Sequence, residues 1–499
     1  MCMKKIPLFL FFFFVSAVLL YPVPKEIEDA LKLNHINHFD EALEVIERAL
    51  QEETIKPDIT STYAIGRILF RKGELYREMG DLAILTNLGY FLQVKGREKS
   101  LPEEFMLFLG ISHFFNRQYL EAAGILNQVT GSSKLDGDLA GLGRVYLGAS
   151  YYRTGEKAKA ADIWKNVKNV DPLAYSALGY MYSYLGINPS QGEEITREAL
   201  RAGAGSPKYA GSLKMNHAYT LMTLGRFDEA YAEARGVSLD SPAHVLLQGK
   251  EKEVRFYDVP SILNYSSILF GEAIKNLEPI VSASSGELAS FAAYYVAQMY
   301  LYLESYDKSM KYAQKAKKLS VASSLTMVRA TGCEAAVEIL SGRGKKGLKI
   351  LQDEVDRIHG KPSMLLELIQ VLISSGAEFG YVKPFVSTAE SFVNKTDWER
   401  SRRDTALMGE LAFFTGNHAK AVEFLEDARD KGNKNKIETN DPNFLLKLSY
   451  VYYTRELFPE SLEILFSLGR RFTGIRQLQD AVQSVYSYKQ KGSGETFID

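Results

Sequence analysis

Between Phe39 and Leu50 the chain reads FDEALEVIERAL, and Phe39, Ala42, Leu43, Ile46, Ala49 and Leu50 recur at three- and four-residue steps. That is the period of an α-helix with one face turned to a core. GNHAKAVEFLEDA does the same with His418, Ala421, Leu425 and Ala428. Such stretches are about a dozen residues long, a length that needs tertiary packing to hold. Beyond residue 24 no run alternates apolar and polar residues between turn dipeptides. The pattern therefore predicts an all-α chain.

LGASYYRTGEKAKAADIWKNVKNVDP, from Leu147 to Pro172, shows how two such helices are joined. Leu147, Gly148 and Tyr151 share a face of a first helix, and RTGEK breaks it with Gly155 as terminator. Ala160, Trp164 and Val167 line a second helix, and Pro172 is expected to stop the unit. The small Gly148 and Ala160 let two backbones approach, and Tyr151 and Trp164 fill the space around them.

This spacing resembles the tetratricopeptide repeat: Leu-Gly, Tyr three residues on, then Ala, an aromatic four residues on, and Pro. The early tryptophan of that pattern is missing, with Arg144 in its place. The frame returns at Leu109, Gly110, Tyr119, Ala122 and Leu126, and at Leu178, Gly179, Tyr182 and Gly186. It returns again at Ala218, Gly225, Phe227, Ala230 and Pro242, then at Ala297, Tyr300, Tyr306, Ala313 and Ala316. Gly409, Gly416, Ala421, Leu425 and Ala428 make a further copy, and Tyr452, Phe458 and Leu465 another. Phe39 to Ala49 reads as the second half of an N-terminal copy. The resemblance implies an α-solenoid of stacked antiparallel helix hairpins, a TPR-like superhelix.

The copies are uneven. Gly192 stands where an alanine is expected, and YDVPSILNYSSILF reads as an inserted or divergent hairpin. The expected organisation is repeats over 25–242, divergent helical repeats over 243–400, repeats again over 401–485, and a flexible tail over 486–499. Residues 1–20 stand apart. MCMKK is basic, IPLFLFFFFVSAVLL is unbroken apolar sequence, and YPVPKE closes the segment. That is the layout of a secretory signal, with Val15 and Ala17 as a small-residue cleavage site. The apolar length also suits a retained membrane anchor. Either way the remainder is expected to be exported, periplasmic or held at the membrane facing the periplasm.

Composition narrows the chemistry. Sixty Lys and Arg against sixty-one Asp and Glu leave a net charge of −1, which offers no basic field for nucleic acid. Two cysteines, Cys2 and Cys333, cannot frame a disulfide scaffold. GRGKKG (Gly342–Gly347) satisfies G-x-G-x-x-G but follows a helical pattern rather than a strand, so it reads as a hairpin turn. His35 and His38 share a helix face without further ligands nearby in sequence. Asn264 and Asn394 head glycosylation triplets. No nucleophile or acid–base constellation stands out, so no enzyme, cofactor, metal or small-molecule substrate is expected.

What remains is a surface. The resemblance implies that first helices line a concave face, with functional side chains offset from the packing glycines. That offset selects Ile111, Phe114, Tyr152, Tyr180, Tyr219, Met222, Tyr294, Phe413, Tyr450 and Tyr453, with Val145 beside Tyr152. An aromatic, nearly uncharged groove suits a helix or extended segment of a partner protein. The expected function is a non-catalytic scaffold or adaptor for envelope proteins. The alternative is an accessory subunit that positions an enzyme, export or motility complex.

Overall fold

The computed structural model describes residues 23–35, 37–95, 103–131, 135, 137–167, 171–204, 209–237, 239, 246–249, 252–255, 259–322, 324–358, 361–395, 401–433, 442–470, 472, 475, 479, 482, 483 and 486. The signal or anchor segment and residues 487–499 of the tail lie outside them. In chain order the helices are α1 (Lys25–His35), α2 (Phe39–Gln51), α3 (Ile59–Lys95), α4 (Glu103–Phe115), α5 (Tyr119–Thr130), α6 (Gly137–Arg153), α7 (Lys157–Trp164), α8 (Pro172–Tyr184), α9 (Pro189–Ala202), α10 (Ala210–Thr223) and α11 (Phe227–Arg235). After the strands β1 (Leu246–Gly249) and β2 (Lys252–Arg255) come α12 (Val259–Ala283), α13 (Gly286–Tyr302), α14 (Tyr306–Leu319), α15 (Leu325–Leu340), α16 (Gly344–Arg357), α17 (Pro362–Ser374), α18 (Phe379–Lys395), α19 (Arg402–Phe414), α20 (His418–Asn433), α21 (Pro442–Thr454) and α22 (Phe458–Gly469). The fold is all-α, made of antiparallel helix hairpins. Among the described residues the one exception is the short antiparallel β1–β2 ladder, with Leu246 opposite Arg255.

Each hairpin turns through one residue of positive φ. Glycine fills it at Gly155 (φ 92°), Gly186, Gly225, Gly342, Gly376 and Gly416, but Asn37, Arg117, Glu304 and Glu456 adopt it elsewhere. In the Gly155 turn the Glu156 N–H donates to the Tyr151 carbonyl at 2.8 Å, which closes the end of α6. The turn geometry is thus constant although its glycine is not. GRGKKG is such a turn as far as Gly342. Gly344 and Gly347 then lie on α16, where a Cβ on Gly347 would meet Ile339 at 2.6 Å.

Three expectations are corrected. Pro172 does not close the hairpin: it is the first residue of α8, and the Asp171 side chain caps that helix by accepting from the Leu173 and Ala174 N–H groups. Val167 lies past the end of α7, although it is buried. YDVPSILNYSSILF is no hairpin: from Val259 it belongs to the single helix α12, whose neighbour is the equally uninterrupted α3.

Contacts divide the chain into two units that interleave in sequence. Unit 1 gathers the described residues of Met1–Lys72 and Phe270–Asp441, and unit 2 those of Gly73–Leu269 and Pro442–Asp499. The division falls inside α3 and α12. In unit 1, Gly66 of α3 leaves room for Leu277 of α12, and Arg71 donates to the Asn34 carbonyl (2.9 Å) and Asn37 Oδ1 (3.0 Å) of the N-terminal hairpin. In unit 2, Gly80 leaves room for Leu263, and Lys447 of the C-terminal hairpin pairs with Glu78 at 3.4 Å. The physical reason for the interleaving is that two long helices each serve as packing partner to residues distant in sequence.

Candidate functional site

In unit 2 the first helices of consecutive hairpins, α4, α6, α8 and α10, pack side by side. Phe114 of α4 meets Tyr146 of α6 edge-on at 5.6 Å, and Tyr180 of α8 meets Tyr219 of α10 edge-on at 4.9 Å. Tyr184, one helical turn after Tyr180, links the two pairs at 6.1 Å from Phe114 and 6.4 Å from Tyr219. Edge-to-face rings suit the aromatic quadrupole, and each pair adds stability beyond its buried area. The Arg153 guanidinium lies 5.3 Å from the Tyr184 ring centre, a cation–π cap on the run.

Beside this run is a cavity of about 50 Å³, lined by Phe108 and Ile111 of α4, Leu139, Leu142 and Tyr146 of α6, Leu173 and Ala177 of α8, Tyr209, Ser212 and Asn216 at α10, and Pro260 and Ser261 of α12. A water needs roughly 10–15 Å³ measured this way, so the space equals a few waters or one aliphatic side chain. Its wall is mostly apolar and carries no ionisable group except the Tyr146 and Tyr209 phenols. The polar side is held in place: Asn216 Nδ2 donates to Ser176 Oγ at 3.2 Å, and Asn264 Nδ2 donates to Asn216 Oδ1 at 3.4 Å. Asn264 is buried, so its glycosylation triplet is closed off by the fold.

Of the residues selected from sequence, Phe114, Tyr180 and Tyr219 join the aromatic run, and Ile111 lines the cavity. Tyr152 does not point away from the packing landmarks. It stacks on Trp164 with ring centres 6.2 Å apart, under the Lys157 ammonium at 5.1 Å. Val145 is fully buried, and its carbonyl accepts the Trp164 indole N–H at 3.0 Å. The reason is Gly148: a Cβ there would sit 2.3 Å from Trp164 Nε1, so the indole lies flat against α6. Tyr146, one residue beyond Val145, is the side chain that reaches the run. Met222 is buried on α10. Tyr450 and Tyr453, with ring centres 6.0 Å apart, border a cavity of about 10 Å³ against Leu82 and Thr86, too small for a ligand. Burial pushes the Tyr450 phenol up to about 12.

Tyr294 and Phe413 belong to unit 1, where the first helices α13, α15, α17 and α19 carry different chemistry. The Arg329 guanidinium lies 5.9 Å from the Tyr294 ring centre, and Arg329 Nε donates to Glu367 Oε2 at 3.0 Å. Arg403 of α19 also pairs with Glu367, through both carboxylate oxygens. Burial acts to raise the Glu367 pKa, but the Arg403 hydrogen bond and the two guanidinium charges outweigh it and hold the carboxyl below its usual range. Phe413 is half-buried against the His418 ring at 5.8 Å.

Among the described residues no group of three His, Cys, Asp or Glu is arranged to hold a metal ion, and no helix is long and apolar enough to cross a membrane. Cys333 is fully buried, which pushes its thiol up to about 12. Tyr146, Tyr184, Tyr209 and Asn216 are the site residues that sequence reasoning missed. Tyr184 was within reach, as the i+4 neighbour of Tyr180.

No protein-family model matches the chain, and no curated protein does. Among solved structures it is similar to yeast Tom70, with 12% identity, a TM-score of 0.34, and 94% of this chain and 96% of that one covered. It is also similar to the Cut9–Hcn1 hetero-tetramer of APC/C, with 13% identity, a TM-score of 0.30, and 96% and 92% covered. The TPR domain of P58(IPK) shows 12% identity, a TM-score of 0.21, and 79% and 99% covered. Superpositions this loose carry nothing about partners from those proteins to this one.

Proposed function

We propose that the chain is a non-catalytic protein-interaction scaffold whose unit 2 takes up one aliphatic side chain of a partner segment. The observation that carries this reading is the cavity bounded by Ile111, Leu142, Tyr146, Ala177, Ser212 and Asn216. Its walls come from helices held by ring contacts and by the Asn216 hydrogen bonds, so little order is lost on binding. Its lining offers shape, apolar surface and a neutral amide, and no nucleophile poised beside a base. The envelope setting rests on the apolar N-terminal segment, and a partner exported by the same route follows from it.

A displayed random-peptide library screened on the purified full chain tests the site. Enriched peptides are expected to share one Leu, Ile or Met anchor. Leu142→Glu places a charge at the half-buried wall of the cavity and should cut their affinity about tenfold or more, the worth of one buried aliphatic side chain. Circular dichroism should stay unchanged in that variant. Peptides bound equally by the variant would sink the assignment.

A further inference from the structure

Helix α14 carries five lysines against one aspartate in a chain whose charges otherwise nearly cancel. Lys308, Lys311, Lys315 and Lys318 follow one another at three- and four-residue steps, so they form one stripe about 15 Å long. The opposite face, with Ser309, Ala313 and Ala316, is buried against the hairpin, and Ser309 Oγ donates to the Ala297 carbonyl at 2.7 Å. The fifth lysine, Lys317, lies off the stripe and is already paired with Glu334 at 2.5 Å.

Folding accounts for the stripe only in part. A helix favours cations in its last turn, which accounts for Lys318. Lys308 and Lys311 sit in the first half, where the dipole disfavours them. Their ammonium groups lie 5.0 Å from the Tyr300 and 5.8 Å from the Tyr312 ring centres. Lys315 and Lys318 have no acidic partner among the described residues. Two other second helices are acidic instead: α2 has four acidic residues against Arg48, and α11 has Asp228, Glu229 and Glu233 against Arg235. Where α14 ends, Val321 is 70% exposed and Leu325 36% exposed.

We propose that the outer face of α14 docks on an anionic lipid bilayer surface, with the four lysines on headgroup phosphates and Val321 at the edge of the acyl region. The partner class follows from the chemistry. The face is one helix rather than a groove, so it does not select shape. Lysines are point charges on flexible stems, suited to a laterally mobile array of anions rather than to bidentate recognition. Exposed aliphatic side chains beside the stripe supply the apolar contact that an acidic polypeptide would not require.

The test is partition of the full chain onto phosphatidylcholine vesicles with and without phosphatidylglycerol. Any uptake through the apolar N-terminal segment appears on both vesicle types, so the difference reads the stripe. That difference should vanish at high salt. It should fall about 100-fold in the triple variant Lys311→Gln, Lys315→Gln, Lys318→Gln, at roughly fivefold per lysine. A triple variant in unit 2, Lys157→Gln, Lys159→Gln, Lys165→Gln, should leave it unchanged. Equal uptake on both vesicle types, or anionic uptake that ignores the α14 substitutions, overturns the proposal. So does stripe-dependent binding to soluble polyglutamate without vesicle binding, which would assign the face to an acidic protein.

Discussion

The same position in the hairpin, the face where first helices meet, is filled with rings in unit 2 and with ions in unit 1. Phe114, Tyr146, Tyr180 and Tyr219 tile the first, and Tyr294, Arg329, Glu367 and Arg403 the second. Rings attract through broad, tolerant contacts, and the ring-lined face of unit 2 borders the cavity of about 50 Å³. A carboxylate gripped by two guanidiniums has both of its oxygens satisfied. On the proposed reading, binding belongs to the unit whose face borders the cavity, while the corresponding face of the other unit is ion-paired.

The comparison breaks first at Glu367. Glu367→Ala leaves Arg329, 17% exposed, without its carboxylate, while Arg403, 60% exposed, can be rehydrated, so unit 1 should lose about 2–3 kcal/mol. Hydrogen exchange of Pro362–Ser374 reads it, and unchanged protection would show that the ion cluster is ornamental. Tyr219→Leu keeps an apolar side chain but removes the edge-on contact with Tyr180, so unit 2 should lose about 1–2 kcal/mol. Exchange in Ala210–Thr223 measures it. A loss as large as that at Glu367 would erase the distinction between tolerant and exacting faces.

The smallest effect is expected at His217, where unit 2 does use ions. His217 Nδ1 lies 2.7 Å from Glu233 on its own hairpin, and Nε2 lies 3.5 Å from Glu193 on the hairpin before. Arg197 and Arg226 also reach Glu193, at 3.6 and 3.5 Å. Burial works to lower the His217 pKa, but the Glu233 hydrogen bond and charge, then those of Glu193, raise it overall above 6.5. A raised folded pKa means the contribution is complete below about pH 6.5 and fades as pH climbs through the raised value. The stability gap between the native chain and His217→Gln should therefore narrow from acid to alkaline pH. A gap that widens with pH would reverse the assignment.

Much of the hairpin grammar was legible. Gly148 and Trp164 face each other because the indole needs the room that a missing Cβ leaves. Gly179 and Gly192 do the same backbone to backbone, where a Cβ on Gly192 would approach the Gly179 carbonyl to 2.6 Å. Other turns were hidden because Arg117, Glu304 and Glu456 adopt positive φ without glycine. The site was read one residue out at Val145, because sequence spacing does not reveal that Trp164 claims that side of α6.

The sequence by itself determined the helical period, the hairpins and their close-packed small residues, because these depend on contacts between neighbours along the chain. Only the tertiary structure decided that α3 and α12 run unbroken, that each unit joins two segments distant in sequence, and that a cavity opens beside Tyr146. Those features depend on which distant side chains compete for the same space, and local periodicity carries no record of that competition.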